Sequence, residues 1–171
     1  RICTCFPLSR FLHRNIKLFY YHYTISLSIL DSFAKITFMI VIRNKADITI
    51  EYQVEKIANK NKVIFFDIET TGFSRKYCNV YLIGCMYYAG EDLMYTQWLA
   101  ENFNDEANVL MAFHKFIKDF DTIIHFNGNS FDIPFVKERG EKYMLEFNFE
   151  NYKHIDIYKS VSSINHLLKM E

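Results

Sequence analysis

The chain has 171 residues and is half hydrophobic, with 17 Phe and 12 Tyr. This composition suits one ordinary domain with a real core and excludes a disordered or low-complexity chain. Lys plus Arg and Asp plus Glu both number 20, so the formal net charge is zero. Proteins that hold long duplex tracts by charge alone normally carry a basic excess, so we expect any nucleic-acid contact to be local, at a groove or a strand end.

The four cysteines do not form a zinc-binding pattern. Cys3, Cys5, Cys78 and Cys85 show no paired CxxC spacing and have no nearby His partners. Cysteine usage of this kind favours a reduced, cytoplasmic setting.

Residues 1–38 differ from the rest of the chain. They carry five cationic residues and one acid, Asp31, a net charge of +4, and show no helical or strand period. Their most apolar part, residues 18–30, is shorter and more polar than the roughly 20 apolar residues of a membrane span, so we expect no stable membrane association. We interpret this segment as an atypical leader upstream of a natural start at Met39, and residues 39–171 as one domain; a membrane-associated leader is the alternative.

From residue 39 the pattern becomes orderly, although residues 47–59 fit either a strand or a short helix. Alternating or continuous apolar runs predict strands, and the stripe in residues 105–120 predicts a helix. The order βββαβαβα predicts an α/β fold with a mixed sheet and helices on both faces. The predicted strands are 63–69, 79–88, 93–99, 122–126 and 154–158, and the predicted helices are 105–120, 131–143 and one beginning near residue 159.

Two carboxylates end the first predicted strand, within "FFDIETTGF". Asp67 and Glu69 are two residues apart, so they share a face, and each raises the proton affinity of the other unless a cation lies between them. A third acid, Asp132, follows a neighbouring predicted strand at the start of a helix. All-oxygen sites of this kind suit Mg²⁺ or Mn²⁺. The alternatives are two solvated acids at a strand end and, for Asp132, a helix N-cap.

"DIETTG" and "NGNSFD" together resemble the first two motifs of the DEDD superfamily of 3′–5′ exonucleases, which have a ribonuclease H-like fold. The longer strings "FFDIETTGFSRKYCNVYLIG" and "IIHFNGNSFDIPFVKER" are similar to bacterial YprB-like proteins. The resemblance covers roughly residues 60–160, and the joint occurrence of both motifs makes it specific.

The resemblance implies a metal-dependent nuclease acting on the 3′ end of a single strand of nucleic acid. Asp67 would bridge two Mg²⁺ or Mn²⁺ ions, Glu69 would hold the ion that activates water, and Asp132 would hold the second ion. The residues implied to lie beside the terminal nucleotide are Thr70, Thr71, Gly72, Phe73, Asn127 and Phe131. For the two phenylalanines we expect core packing, and stacking on a base is the alternative. Candidate phosphate contacts are Arg75, Lys76, Lys137 and Arg139, whose alternative is a solvated surface charge.

The family also has a fourth Asp, preceded by a Tyr or His, on its last helix. The spacings Tyr152 to Asp156 and His166 to Glu171 imitate this motif, but Asp156 follows Asp132 too soon and lies in a predicted strand. We therefore expect a truncated domain with an incomplete last helix, in which the missing carboxylate weakens metal binding and makes turnover slow or absent. A catalytically incomplete nucleic-acid-binding domain of the same fold is the alternative function.

Overall fold

The structure, a computed structural model, describes residues 39–48 and 50–168, with residues 163–168 described by their backbone alone. The interpretation of residues 1–38 as a leader, and any role of Glu171, lie outside this part of the chain. Six strands and three helices are described between residues 39 and 168. They are β1 (Met39–Lys45), β2 (Val63–Thr70), β3 (Val80–Ala89), β4 (Asp92–Ala100), α1 (Glu106–Ile117), β5 (Thr122–His125), α2 (Asp132–Lys142), β6 (Lys153–Asp156) and α3 (Ile157–Leu168).

The six strands form one mixed sheet in the order β1-β4-β3-β2-β5-β6. The pairs β1–β4, β4–β3 and β3–β2 are antiparallel, whereas β2–β5 and β5–β6 are parallel. The predicted α/β fold with a mixed sheet is confirmed. Because β2 and β5 run the same way, the residues that follow them meet at one edge of the sheet.

The structure adds a strand that the sequence pattern did not predict. β1 pairs along its whole length with β4, from Met39 opposite Ala100 to Lys45 opposite Met94. The strand depends on pairing with β4, which is distant in sequence. Its own residues are exposed or half-buried, so the hydrophobic periodicity of the sequence gives little signal for it. The ambiguous residues 47–59 form neither a strand nor an α-helix where described; they contain a short 3-10 turn, Val54–Lys56.

The main core lies on one face of the sheet, under α1 and α2. Ile64, Phe66 and Ile68 of β2 belong to this core, and the Phe66 ring stacks on Phe113 of α1 with centroids 4.9 Å apart. Burial of one such ring contributes roughly 1.5–3 kcal/mol. Since side chains alternate along a strand, fixing these residues towards the helices directs Asp67 and Glu69 to the opposite face.

In the part of the chain that the structure describes, none of the helices has the length and apolar character needed to cross a membrane.

Candidate active site

The structure brings Asp67, Glu69 and Asp132 together. Asp67 and Glu69 lie on β2, and Asp132 is the first residue of α2 and is buried. The Oδ1 atom of Asp132 accepts a hydrogen bond from the backbone N–H of Ile68 at 3.2 Å, and the carboxyl groups of Asp67 and Asp132 lie close enough to share a hydrogen bond when one of them is protonated. The residue before α2, Phe131, makes no side-chain capping bond, and the Asp132 carboxylate is turned towards β2.

The electrostatics of this cluster favour protonation. Burial, followed by the nearby charges of Asp132 and Glu69, raises the pKa of Asp67 to about 8. Burial also raises the pKa of Asp132. Tyr81 of β3 lies close enough for burial and the Glu69 charge to raise the pKa of its phenol. Without a cation, the pair Asp67 and Asp132 therefore shares a proton at neutral pH.

The donor set fits a hard cation, but the side chains are not arranged around one. Three carboxylates supply only oxygen ligands, which suits Mg²⁺ or Mn²⁺. Within residues 39–48 and 50–168, no three His, Cys, Asp or Glu side chains have the arrangement of a formed metal site. A hydrogen bond between Asp67 and Asp132 uses carboxylate oxygens that a cation would need. Binding of a cation therefore has to displace the proton that the two side chains share.

The loop after β2 is held by its own hydrogen bonds. Thr70 Oγ1 donates to the Gly72 carbonyl at 2.8 Å, and the Thr71 N–H donates to the Asn79 carbonyl at 2.9 Å. A Cβ at Gly72 would lie 2.8 Å from the Sγ atom of Cys78. A side chain at this position would therefore require the Cys78 thiol to rotate away, and it would also limit any close approach by a substrate.

Two aromatic rings flank the carboxylates. Phe73 is 92% exposed, and its ring meets Phe131 edge to face at 6.2 Å. Phe131 is half-buried and packs on Phe135 of α2 at 5.2 Å. The prediction that Phe73 packs in the core is therefore wrong. Phe131 does pack against the core, and it also contacts the exposed ring of Phe73.

The four predicted phosphate contacts lie in three different environments. Arg139 is only 3% exposed, and its Nε atom donates to Glu106 Oε1 at 2.8 Å, so the prediction that it contacts phosphate is wrong. Lys137 is half-exposed and paired with Glu150. Arg75 and Lys76 are exposed in the loop after β2 and remain available for a phosphate.

Asp156 has a structural role in the loop that precedes Asp132. Its Oδ1 atom accepts from the backbone N–H of Asn127 at 2.9 Å and from that of Tyr158 at 3.1 Å. It therefore caps α3 and anchors the β5–α2 loop, residues 126–131. Asn127 has a positive φ of 59°, so the bond from its N–H helps to hold an unusual backbone conformation. The His166 and Glu171 side chains of the other imitated motif lie outside the described side chains.

A histidine pair supports the same loop. The Gly128 N–H donates to His125 Nδ1 at 3.1 Å, and His154 lies 3.4 Å away from the other ring nitrogen of His125. Burial lowers the pKa of His125. The ring is therefore neutral at pH 7. This agrees with the hydrogen bond, because Nδ1 can accept the Gly128 N–H only when it carries no proton.

Sequence reasoning missed Glu106, which is fully buried at the start of α1. Its carboxylate accepts from Arg139, from Tyr143 Oη at 2.7 Å and from the Val80 N–H at 2.8 Å. An acid in the first turn of a helix usually interacts with the helix dipole while exposed to solvent. The burial of Glu106 could not be predicted from local sequence, because its partner Arg139 is 33 residues away. The network joins α1, α2 and the beginning of β3 beside the site.

Comparison with solved structures finds proteins that act on or copy DNA. The family B DNA polymerase of the archaeon Pyrobaculum calidifontis matches 58% of this chain and 16% of its own, with 20% identity and a TM-score of 0.47. Escherichia coli Exonuclease I in its metal-free complex with single-stranded DNA matches 58% of this chain and 28% of its own, with 12% identity and a TM-score of 0.47. The same enzyme with a dT13 oligonucleotide gives 13% identity over 56% of this chain and 27% of its own, with a TM-score of 0.43.

Among curated proteins, the DNA polymerase of Ostreid herpesvirus 1 is 43% identical over 47 residues, which are 26% of this chain and 2% of the polymerase. The chain thus corresponds to a small part of the longer proteins that it matches. The family model described as RNase_H superfamily matches residues 64–170, more than half of the chain. These residues include β2, the two-carboxylate motif, Asp132 and the parallel strands, and the chain belongs to the RNase_H superfamily.

Proposed function

We propose that this domain hydrolyses phosphodiester bonds at the 3′ end of single-stranded nucleic acid in a metal-dependent reaction of the DEDD type. The observation that carries the proposal is the convergence of Asp67, Glu69 and Asp132, with the pKa of Asp67 raised to about 8 by burial and by the neighbouring carboxylates. Clustered acids that are buried or half-buried are costly for folding unless they serve a cation, and strongly perturbed acids concentrate at functional sites.

In this proposal the carboxylates of Asp67, Glu69 and Asp132 would hold Mg²⁺ or Mn²⁺. Bound ions would supply an activated water and the positive charge that a phosphate transition state requires. The loop at Thr70–Gly72 and the exposed ring of Phe73 lie beside the carboxylates and receive the terminal nucleotide. Asn127 takes part through the loop that its backbone N–H anchors on Asp156.

A nucleic-acid-binding domain without catalysis is the second candidate. It is favoured by the arrangement of the acids, because residues 39–48 and 50–168 hold no formed three-ligand cluster. The remaining acid with the right spacing, Asp156, uses one of its oxygens, Oδ1, as a helix cap. In that case the domain would bind single strands with the same surface and leave them intact.

The experiment is a cleavage assay on the purified 171-residue chain. Single-stranded DNA and RNA oligonucleotides, labelled separately at the 5′ and 3′ ends, are incubated with Mg²⁺, Mn²⁺ or a chelator. We expect slow hydrolysis that requires metal: the 5′-labelled strand should shorten stepwise, and the 3′-labelled strand should lose its label in the first step. Asp67→Asn should lower the rate by a hundredfold or more.

The matched control is Asp47→Asn, which changes an exposed acid before β2 and should leave the rate unchanged. Binding of the oligonucleotide without metal-dependent cleavage would overturn the hydrolytic proposal and select the binding domain. Cleavage that persists in Asp67→Asn would show that another site or a contaminant is responsible.

A further inference from the structure

The β5–α2 loop begins with an aromatic residue that the sequence analysis did not single out. Phe126 is 43% exposed and Tyr158 is 47% exposed, and their rings meet edge to face at 5.5 Å. Tyr158 is the second residue of α3, so this pair joins the end of β5 to the start of the last described helix. Large exposed aromatic side chains that pack on each other form a candidate binding surface.

The parallel pairing of the sheet brings the end of β5 to the edge where the carboxylates lie. β2 and β5 are parallel, with Phe65 opposite Ile124. Asp67 lies two residues beyond Phe65 on β2, and Phe126 lies two residues beyond Ile124, directly after β5 ends at His125. Phe126 and Asp67 therefore follow the last paired residues of neighbouring strands in the same direction.

The pair is held in place before any ligand arrives. The Oδ1 atom of Asp156 accepts both from the N–H of Asn127, the residue after Phe126, at 2.9 Å and from the N–H of Tyr158 at 3.1 Å. One buried carboxylate oxygen thus fixes the backbone at both rings. A surface fixed in this way loses little conformational entropy on binding.

The β5–α2 loop also carries Phe131, one ring of the second aromatic pair, whose other ring is Phe73 in the loop after β2. The β5–α2 loop begins at Phe126, ends at Phe131, which meets the exposed ring of Phe73 at 6.2 Å, and is followed directly by Asp132. One aromatic pair therefore lies at each end of the loop that leads into the carboxylate cluster. This arrangement is suited to a ligand with flat groups on both sides of a phosphate.

We propose that Phe126 and Tyr158 form a stacking platform for an unpaired base on the opposite side of the scissile phosphate from Phe73 and Phe131. This inference rests on the proposed function and specifies its substrate: a single strand with at least two unpaired nucleotides at its end. Two rings are too small an area for a stable protein partner, which needs about 800 Å². A base presents a face of matching size, and stacking tolerates any sequence.

The test is binding of a labelled single-stranded oligonucleotide, measured by fluorescence anisotropy in a chelator and again with Ca²⁺. Tyr158→Ala should weaken binding about tenfold, whereas Tyr158→Phe, which keeps the ring, should bind like the unchanged chain. The matched control is Tyr52→Ala, an exposed tyrosine that precedes β2. Thermal unfolding of each variant checks that the fold is intact.

Abasic nucleotides, placed one at a time within four positions of the 3′ end, identify the stacked base. At the position that occupies the platform, the abasic strand should bind the unchanged chain about tenfold more weakly, and Tyr158→Ala should add less than a twofold further loss. If the losses in affinity from the abasic nucleotide and from Tyr158→Ala multiply at every position, the platform is overturned. A Tyr158→Ala chain that binds normally, or a complete absence of binding, would also overturn it.

These outcomes are separable from failure of the proposed function. Coupling between Tyr158 and one base, without cleavage in Mg²⁺ or Mn²⁺, supports the platform and overturns hydrolysis. Metal-dependent cleavage without such coupling supports hydrolysis and overturns the platform.

Discussion

At the residue scale, the dominant feature is a pair of acids that share a proton. Asp67 and Asp132 are hydrogen-bonded, and burial together with neighbouring charge raises the pKa of Asp67 to about 8 from a normal value of 3.8. The unfolded chain loses this proton near pH 4, while the folded chain keeps it until about pH 8. Stability of the metal-free protein should therefore fall as pH rises from 4 to 8 and then level off.

The substitution Asp67→Asn should remove this pH dependence. The amide keeps the shape and cannot ionise, so at pH 8 we expect the variant to be more stable than the unchanged chain by about 1–3 kcal/mol, with little difference at pH 4. Chemical denaturation in chelator across this pH range measures the effect. A variant that is less stable at pH 8 would show that the carboxylate is stabilised as a charged group.

Metal binding should release the same proton. Since a cation needs the ionised carboxylates, Mn²⁺ affinity should rise by up to tenfold per pH unit between pH 6 and 8 and change little above the Asp67 pKa of about 8. Calorimetric titration in two buffers of different ionisation enthalpy counts the protons released. Binding that does not vary with pH would place the cation away from Asp67 and Asp132.

The identities of these acids were predictable, but their protonation was not. Alternation along a strand was sufficient to place Asp67 and Glu69 on one face, and the "NGNSFD" string pointed to Asp132. The hydrogen bond between Asp67 and Asp132 depends on burial and on the approach of α2 to β2, which no local pattern encodes. Arg139 was assigned to the surface for the same reason, because its partner Glu106 is distant in sequence.

At the scale of elements, the buried pair Glu106 and Arg139 joins α1 to α2. Arg139 also donates to the backbone carbonyls of Arg75 and Lys76, in the loop after β2, at 3.4 and 3.3 Å. Strands and helices with strong periodicity, such as β2 and α1, were predicted within a few residues. β1 was not, because its conformation is fixed by pairing with β4.

Breaking this pair should destabilise the whole domain. Arg139→Met leaves the Glu106 carboxylate buried without its cation, which typically costs 3–5 kcal/mol. Urea denaturation measures the loss in unfolding free energy. The matched control is Lys137→Met on the same helix, which breaks the exposed pair with Glu150 and should leave the denaturation midpoint almost unchanged. Equal effects of the two substitutions would contradict a structural role for the buried pair.

At the scale of the whole molecule, the balance of charge limits how nucleic acid can be held. The 20 cationic and 20 acidic residues cancel, so no general positive field attracts a strand, and the affinity must come from stacking and a few local cations. Near the site, Arg75 and Lys76 are exposed in the loop after β2. Two phosphate contacts correspond to a slope of about −1.4 when the logarithm of the binding constant is plotted against that of the salt concentration.

We therefore expect single-strand binding by the 171-residue chain to depend weakly on salt. The double variant Arg75→Gln, Lys76→Gln should bring the slope close to zero, since each contact contributes about −0.7. The control pair Lys56→Gln, Lys62→Gln removes two exposed lysines near the opposite end of β2 and should leave the slope as it was. A slope of −4 or steeper would mean that many more cations contact the strand. Binding would then depend on an extended basic surface, and the aromatic rings beside the carboxylates would contribute little to the affinity.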